Sequence, residues 1–204
     1  MTKQVKALFL DIGGVMLSNG WETAYRQRAA DHFGLDFHRM EALHHPIAAV
    51  LETGHITLDE YLDLVVFEQE RSFTKEDFIA FMLSMSVPYP AVIDLFRGLK
   101  ERYGLKVFVV SNESRELNAY RIQQFGLDQW IDCFVSSCYV GYQKPDPNIF
   151  RLALDLVQVP PEETLFIDNT ELHIRAAARQ GIPGVVHRDL DTTRLHLEAC
   201  GLQL

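Results

Sequence analysis

The chain has 204 residues, of which 48% are hydrophobic and 23% are charged, as expected for a globular protein with one main core and a smaller appended unit. The net charge of -9 argues against a general surface for nucleic acid or anionic membrane, although a small anion can still bind in a local pocket. Three cysteines without a Cys-x-x-Cys pair fit a reducing compartment. With no signal-peptide core and no membrane-spanning apolar run, the sequence predicts a cytoplasmic protein.

Short β-rich runs alternate with helical patterns along most of the chain. This alternation predicts an α/β fold with a parallel five-stranded sheet and helices on both faces. The predicted strands are Ala7 to Asp11, Lys106 to Ser111, Cys133 to Ser137, Thr164 to Asp168 and Gly184 to His187.

The stretch between the first two predicted strands contains no convincing strand and is expected to be a helical insert. Thr57-Leu58-Asp59-Glu60 and Thr74-Lys75-Glu76-Asp77 are capping-box patterns, each followed by an apolar stripe at helical spacing. We therefore predict a core domain of residues 1–16 and 89–204 and a helical cap of residues 17–88. The cap is expected to cover the carboxyl edge of the sheet.

Polar residues follow three of the predicted strands. Asp11 ends the first strand and precedes Gly13 and Gly14, Ser111-Asn112 ends the second, and Asp168-Asn169 ends the fourth. A loop after the third strand adds Lys144 just before a helix that is expected to begin at Asp146-Pro147. Each motif alone is weak evidence, but parallel topology brings such strand ends together in one crevice.

In this order the motifs resemble those of the haloacid dehalogenase (HAD) superfamily, and the resemblance covers essentially the whole chain. Asp11, Ser111, Lys144 and Asp168 match its four motifs, and the predicted insert lies where members with a helical cap carry it. The segment from Glu52 to Thr57 is similar to the turn before a cap helix in that group. The resemblance implies a Rossmann-like HAD core with a small α-helical cap.

The resemblance also implies a hydrolase that transfers a phosphoryl group. Asp11 would attack phosphorus to form an aspartyl phosphate, which water then hydrolyses. A Mg²⁺ ion would be held by Asp11, Asp168 and the backbone carbonyl of Gly13, with Asn169 binding a metal-bound water. The phosphoryl oxygens would be bound by Ser111, Asn112, Lys144 and the backbone amides of Ile12, Gly13 and Gly14. The expected substrate is a small phosphorylated metabolite such as a sugar phosphate.

Two positions depart from the family's pattern. Gly13 stands where most phosphatases of the family have a second Asp, the general acid and base, so the chain resembles a branch that lacks this group. Positioned acid-base catalysis contributes roughly 10²- to 10⁴-fold to rate. In the fourth motif, Asn169 replaces an acid. His173 lies where the family frequently has Asn, and packing or hydrogen bonding is the simpler interpretation of this histidine. Four side chains could replace the acid: His44, His45, His55 and Glu113. For each of them a surface or capping role is the simpler interpretation.

Two alternatives remain open. In a metal-free dehalogenase Asp11 would attack carbon and displace halide, but such relatives have an aromatic residue at the Gly13 position and a cap arginine, for which Arg26, Arg28 or Arg39 would have to serve. A catalytically impaired member would bind a phosphorylated ligand or a partner protein without turnover. The retained Asp11 argues against this second alternative.

Overall fold

A five-stranded parallel sheet in the order β3-β2-β1-β4-β5 forms the centre of the molecule, and it confirms the predicted fold class. The computed structural model of the chain describes residues 4–204. The strands are β1 (Ala7–Leu10), β2 (Lys106–Ser111), β3 (Cys133–Ser136), β4 (Thr164–Asp168) and β5 (Gly184–Val186).

The helices of the described residues fall into two groups along the chain. Five lie in the stretch of residues 17–88 that follows β1: α1 (Thr23–Phe33), α2 (Phe37–His44), α3 (Ala48–Glu52), α4 (Leu58–Val65) and α5 (Lys75–Ser84). The others alternate with the strands: α6 (Pro90–Tyr103), α7 (Arg115–Gln124), α8 (Ser137–Val140), α9 (Pro147–Val157), α10 (Glu171–Ala178) and α11 (Leu190–Ala199). Within residues 4–204, none of these helices is long and apolar enough to cross a membrane.

Alternation along the strands divides the core between the two faces of the sheet. Leu8 and Leu10 of β1 belong to one buried cluster with side chains of α6, whereas Ala7 and Phe9 belong to another with side chains of α9. Successive side chains of a strand point to opposite faces, so a continuous apolar run such as Ala7–Leu10 fills both clusters. With both faces covered, a parallel sheet of this kind binds its ligands at the carboxyl ends of the strands.

The helices α1 to α5 pack around a third apolar cluster, which includes Tyr61 and Phe78. The predicted capping boxes are present at the starts of α4 and α5, where Thr57 and Thr74 each accept a hydrogen bond from the backbone three residues on. The ends of the insert meet, since Leu17 and Pro88 form an antiparallel bridge. The division into residues 1–16 with 89–204 and 17–88 stays a prediction that this arrangement favours.

Candidate active site

The register of the central strands brings two carboxylates to the same edge of the sheet. Leu10 of β1 pairs with Ile167 of β4, so the next residues along the two strands, Asp11 and Asp168, lie side by side. The Asp11 backbone N–H donates to the Ile167 carbonyl oxygen at 3.0 Å, which fixes the end of β1. Oδ1 of the Asp11 side chain accepts a hydrogen bond of 2.8 Å from the backbone N–H of the next residue, Ile12.

The Lys144 ammonium lies between these two carboxylates. Its Nζ is 3.0 Å from Oδ2 of Asp11 and 2.6 Å from Oδ2 of Asp168. The loop that carries Lys144 is held by Asn112, whose side-chain amide donates to the Lys144 carbonyl and accepts from the Lys144 N–H, at 2.9 and 2.7 Å. Three of the predicted motifs therefore meet through one buried cation.

Burial and ion pairing act against each other on these groups. Burial raises the pKa of Asp11, and the Lys144 ammonium and the Ser111 hydroxyl partly offset this effect. Burial alone would lower the pKa of Lys144, but the two carboxylates raise it above its ordinary value. Burial would also raise the pKa of Asp168, yet Lys144 and His173 lower it well below its usual range. The result at neutral pH is an ion-paired cluster with one cation shared between two acids.

His173 joins the cluster through Asp168. Its Nδ1 lies 3.1 Å from both carboxylate oxygens of Asp168, in agreement with the hydrogen-bonding role considered from the sequence. The ligand atoms of Asp11, Asp168 and His173 all lie within 4.8 Å of one another.

In residues 4–204 no hydrogen bond engages the Gly13 carbonyl oxygen. Two carboxylates and a free carbonyl form an oxygen-rich donor set that fits Mg²⁺.

The loop after β1 is packed tightly against Asn169. Gly14 has a φ of +71°, and a Cβ there would lie 2.0 Å from Nδ2 of Asn169. This amide nitrogen donates to the Oδ1 of Asn19 at 3.2 Å. Asn169 thus contacts both the turn at Gly14 and Asn19, at the start of the insert. Its binding of a metal-bound water stays a prediction.

The backbone amides proposed for phosphate binding differ in their availability. The Ile12 N–H is bonded to Asp11, and the Gly14 N–H donates to the Leu17 carbonyl at 2.7 Å. In the part of the chain that the structure describes, no hydrogen bond engages the N–H of Gly13 or that of Asn112. These two donors are the ones free to meet an incoming anion.

A polar cavity of about 410 Å³ opens above the cluster. Its core lining includes Asp11 and Asn112 from the strand ends and Lys144 from the loop before α9, and the rest comes from further core residues and from the insert. The lining residues of the insert are Asn19, Gly20, Trp21, Glu22, Thr23, Arg26, His44 and Glu52. The insert therefore covers the carboxyl edge of the sheet, and its side chains face whatever binds there.

Of the four side chains considered as replacements for the missing acid, His44 and Glu113 line this cavity. Glu113 is buried in an ion pair with Nη1 of Arg121 at 2.7 Å, and burial raises its pKa to about 7 against the opposing effect of that guanidinium. The exposed His45 and His55 are absent from the lining and form contacts elsewhere, with Glu41 and Thr53 respectively.

The three cap arginines are poorly placed for the dehalogenase alternative. Arg26 lines the cavity, but its guanidinium already donates to Glu41, to Thr23 and to the Trp21 carbonyl. The Arg28 guanidinium lies over the Tyr25 ring, and the exposed Arg39 pairs with Glu68. No cap arginine among the described residues combines a position at the cavity with an uncommitted guanidinium.

Comparisons with known proteins agree with this architecture. A family model described as "Hydrolase: haloacid dehalogenase-like hydrolase" matches residues 5–181. A phosphorylated carbohydrates phosphatase of Thermotoga maritima is 27% identical over 98% of this chain and 94% of its own length. A solved structure of the HAD family enzyme BT-2542 from Bacteroides thetaiotaomicron, in complex with magnesium and inorganic phosphate, superposes with a TM-score of 0.74 at 22% identity, covering 90% of this chain and 94% of that one.

A second curated relative shares a shorter segment. Bifunctional epoxide hydrolase 2 of Sus scrofa is 38% identical over 75 residues, which is 36% of this chain and 14% of that protein. The match covers only a small part of that enzyme, so its activity is not transferred to this chain.

Proposed function

Since the chain belongs to the haloacid dehalogenase-like hydrolases, we propose that it is a Mg²⁺-dependent phosphatase of a small phosphorylated metabolite. The observation that carries the proposal is the Lys144 ammonium shared between Asp11 and Asp168 at the base of a polar cavity. A phosphoryl dianion needs cationic partners, and the Lys144 ammonium is one beside the nucleophile. The dehalogenase alternative would also need a cap arginine, and Arg26, the one that lines the cavity, is already bonded to Glu41 and Thr23. The full-length similarity to a phosphatase of phosphorylated carbohydrates supports the same substrate class.

The proposed roles follow from what each side chain can offer. An oxygen of Asp11 attacks phosphorus in line, and the bond to the leaving oxygen breaks. Lys144 and Ser111 hold the phosphoryl oxygens together with the free N–H groups of Gly13 and Asn112. Water then attacks the aspartyl phosphate, which releases phosphate and restores Asp11.

Asp11, Asp168, the Gly13 carbonyl and Asn169 are the proposed holders of Mg²⁺. When bound, the ion would neutralise charge on the transferring phosphoryl group. In the absence of the ion, Lys144 is the cation that keeps the two carboxylates together. The magnesium complex of the similar BT-2542 enzyme supports the choice of Mg²⁺ as the ion.

The test is phosphate release from p-nitrophenyl phosphate and a panel of sugar phosphates, with Mg²⁺ or with chelator. Asp11→Asn, which removes the nucleophile and keeps the shape, is the blank. Mg²⁺-dependent release that is lost in this variant supports the proposal. Release that persists with chelator would contradict the metal dependence, and no release above the blank for any substrate would contradict the phosphatase function.

A further inference from the structure

One acidic side chain of the cavity has no assigned partner. Glu52 is the last residue of α3 and lines the cavity together with Asp11 and Lys144. Within residues 4–204, its carboxyl group takes part in no hydrogen bond or ion pair, whereas the other carboxylates of the cavity are engaged. Glu113 is paired with Arg121, and the exposed Glu22 accepts a hydrogen bond from Asn19.

The backbone of Glu52 is fixed to the core of the molecule. The Ser137 hydroxyl at the start of α8 donates to the Glu52 carbonyl oxygen at 2.5 Å and accepts from the Glu113 N–H at 3.0 Å. Two residues further on, Gly54 has a φ of +72°, and a Cβ there would lie 2.3 Å from the Cys138 carbonyl oxygen. The turn after α3 therefore rests backbone against backbone on the core, and this contact holds Glu52 at a set position above the sheet edge.

The charges around Glu52 come from both parts of the molecule. Burial is the largest effect and raises the pKa of the Glu52 carboxyl. Lys144 and His173 from the core and Arg26 from α1 oppose this shift, and Asp11 reinforces it. Glu113 is a further acid facing the same region. Burial therefore favours the protonated form of Glu52. Within residues 4–204 no hydrogen bond or ion pair occupies this carboxyl group.

We propose that Glu52 is the general acid and base that replaces the side chain missing at Gly13. The proposal rests on the phosphatase function proposed above. As Asp11 attacks phosphorus and the phosphorus–oxygen bond to the leaving group breaks, the Glu52 carboxyl gives its proton to the leaving oxygen, which departs as an alcohol. The Glu52 carboxylate then takes a proton from the water that attacks the aspartyl phosphate, so that phosphate leaves and both carboxyl groups return to their starting states.

A leaving-group comparison tests this role. p-Nitrophenolate leaves without needing a proton, whereas an alkoxide does not. In Glu52→Gln we expect kcat/KM, which includes departure of the leaving group but not hydrolysis of the aspartyl phosphate, to fall by about 10²-fold or more for glycerol 2-phosphate and by less than about 10-fold for p-nitrophenyl phosphate. In the wild type, the rate with glycerol 2-phosphate should decline as rising pH removes the proton from Glu52, and this limb should be missing from the variant.

Glu22→Gln is the matched control, because it removes an exposed carboxylate from the rim of the same cavity. It should leave the ratio of the two rates unchanged. Inhibition by inorganic phosphate shows that the phosphate site of Glu52→Gln is intact, and Glu52→Asp should recover part of the rate with glycerol 2-phosphate.

Equal losses of kcat/KM with both substrates would overturn the acid role and leave Glu52 a structural residue, and no loss of kcat/KM with either would also overturn it. In both cases Asp11-dependent release by the wild type would keep the phosphatase function standing. If the wild type releases no phosphate from either substrate above the Asp11→Asn blank, both proposals fall.

Discussion

The guanidinium of Arg121 borders the empty space beside Gly13. A Cβ added to Gly13 would lie 3.8 Å from Nη1 of Arg121 and 3.5 Å from the nearest backbone atom, the nitrogen of Gly20. Both are ordinary van der Waals distances. A Cβ at Gly13 is therefore not excluded by crowding, in contrast to one at its neighbour Gly14, so an acid can be introduced at this position as a test.

We predict that Gly13→Asp, introduced into the Glu52→Gln variant, restores turnover of substrates with poor leaving groups. The new carboxyl group would stand two residues after the nucleophile, where a positioned acid contributes roughly 10²- to 10⁴-fold in other enzymes. Relative to Glu52→Gln alone, we expect a rise of at least about 10-fold in kcat/KM for glycerol 2-phosphate and little change in kcat/KM for p-nitrophenyl phosphate. Steady-state kinetics of the two substrates measures this difference.

Gly13→Asn is the control for that experiment, since it has the same shape and no proton to give. If the Asn and Asp variants behave alike, or if both lose activity, the space beside Gly13 does not accept a working acid. That result would mean that the Asn19 and Gly20 backbone constrains this position more than the Cβ distances indicate.

The sequence alone was sufficient to predict the sheet and the residues at its edge. Apolar runs that end in polar residues identify Asp11, Ser111 and Asp168, and parallel topology requires these ends to meet. The capping boxes at Thr57 and Thr74 are local signals, since the bonds that satisfy a helix start lie within four residues. Such features depend on near neighbours in the chain and could be found without a structure.

The roles of Glu52 and Glu113 could not be predicted in this way. The residues next to Glu52 in the sequence form no motif that indicates acid-base catalysis. The position of Glu52 depends on the contact between the turn at Gly54 and the backbone of α8, which lies far along the chain. The commitment of Glu113 to Arg121 depends on how α7 packs against the loop after β2. These are tertiary contacts between segments whose spacing in the sequence gives no geometric information.

Loss of the Lys144 ammonium should destabilise the protein strongly. Lys144→Met leaves Asp11 and Asp168 buried next to each other without a cation, and breaking a buried ion pair costs about 3–5 kcal/mol. Urea unfolding in chelator at pH 7 measures the change. Lys6→Met is the control, because the Lys6 side chain is 58% exposed in its pair with Glu163 and such pairs contribute about 0–1 kcal/mol. Equal losses in the two variants would contradict a special role for the buried cation.

Gly14 and Gly34 allow backbone strain to be separated from crowding at the site. Both have positive φ values, of +71° and +65°, but a Cβ at Gly34 would meet nothing within 4 Å. Gly34→Ala should therefore cost only the roughly 1–2 kcal/mol of a left-handed alanine. Gly14→Ala adds a clash with Asn169 and Asn19, so we expect a greater loss of unfolding free energy and a large loss of phosphatase activity. Similar activity in the two variants would show that the contact between Gly14 and Asn169 is dispensable for the site.

His44 should make stability depend on pH below neutrality. Its Nδ1 lies 2.8 Å from the Tyr61 hydroxyl, which accepts from Trp21 Nε1 and can therefore donate to this nitrogen, leaving the proton of the neutral ring on Nε2. Burial lowers the pKa of His44 to about 4, whereas the unfolded chain titrates near the ordinary value of about 6.5. The unfolded state thus binds more protons between these values, so the contribution of His44 to stability is complete above about 6.5 and is lost as pH falls toward about 4. Comparing His44→Gln with its exposed neighbour His45→Gln by urea unfolding across this range should show a flatter pH dependence only for the former, and parallel curves for the two variants would contradict a neutral buried His44.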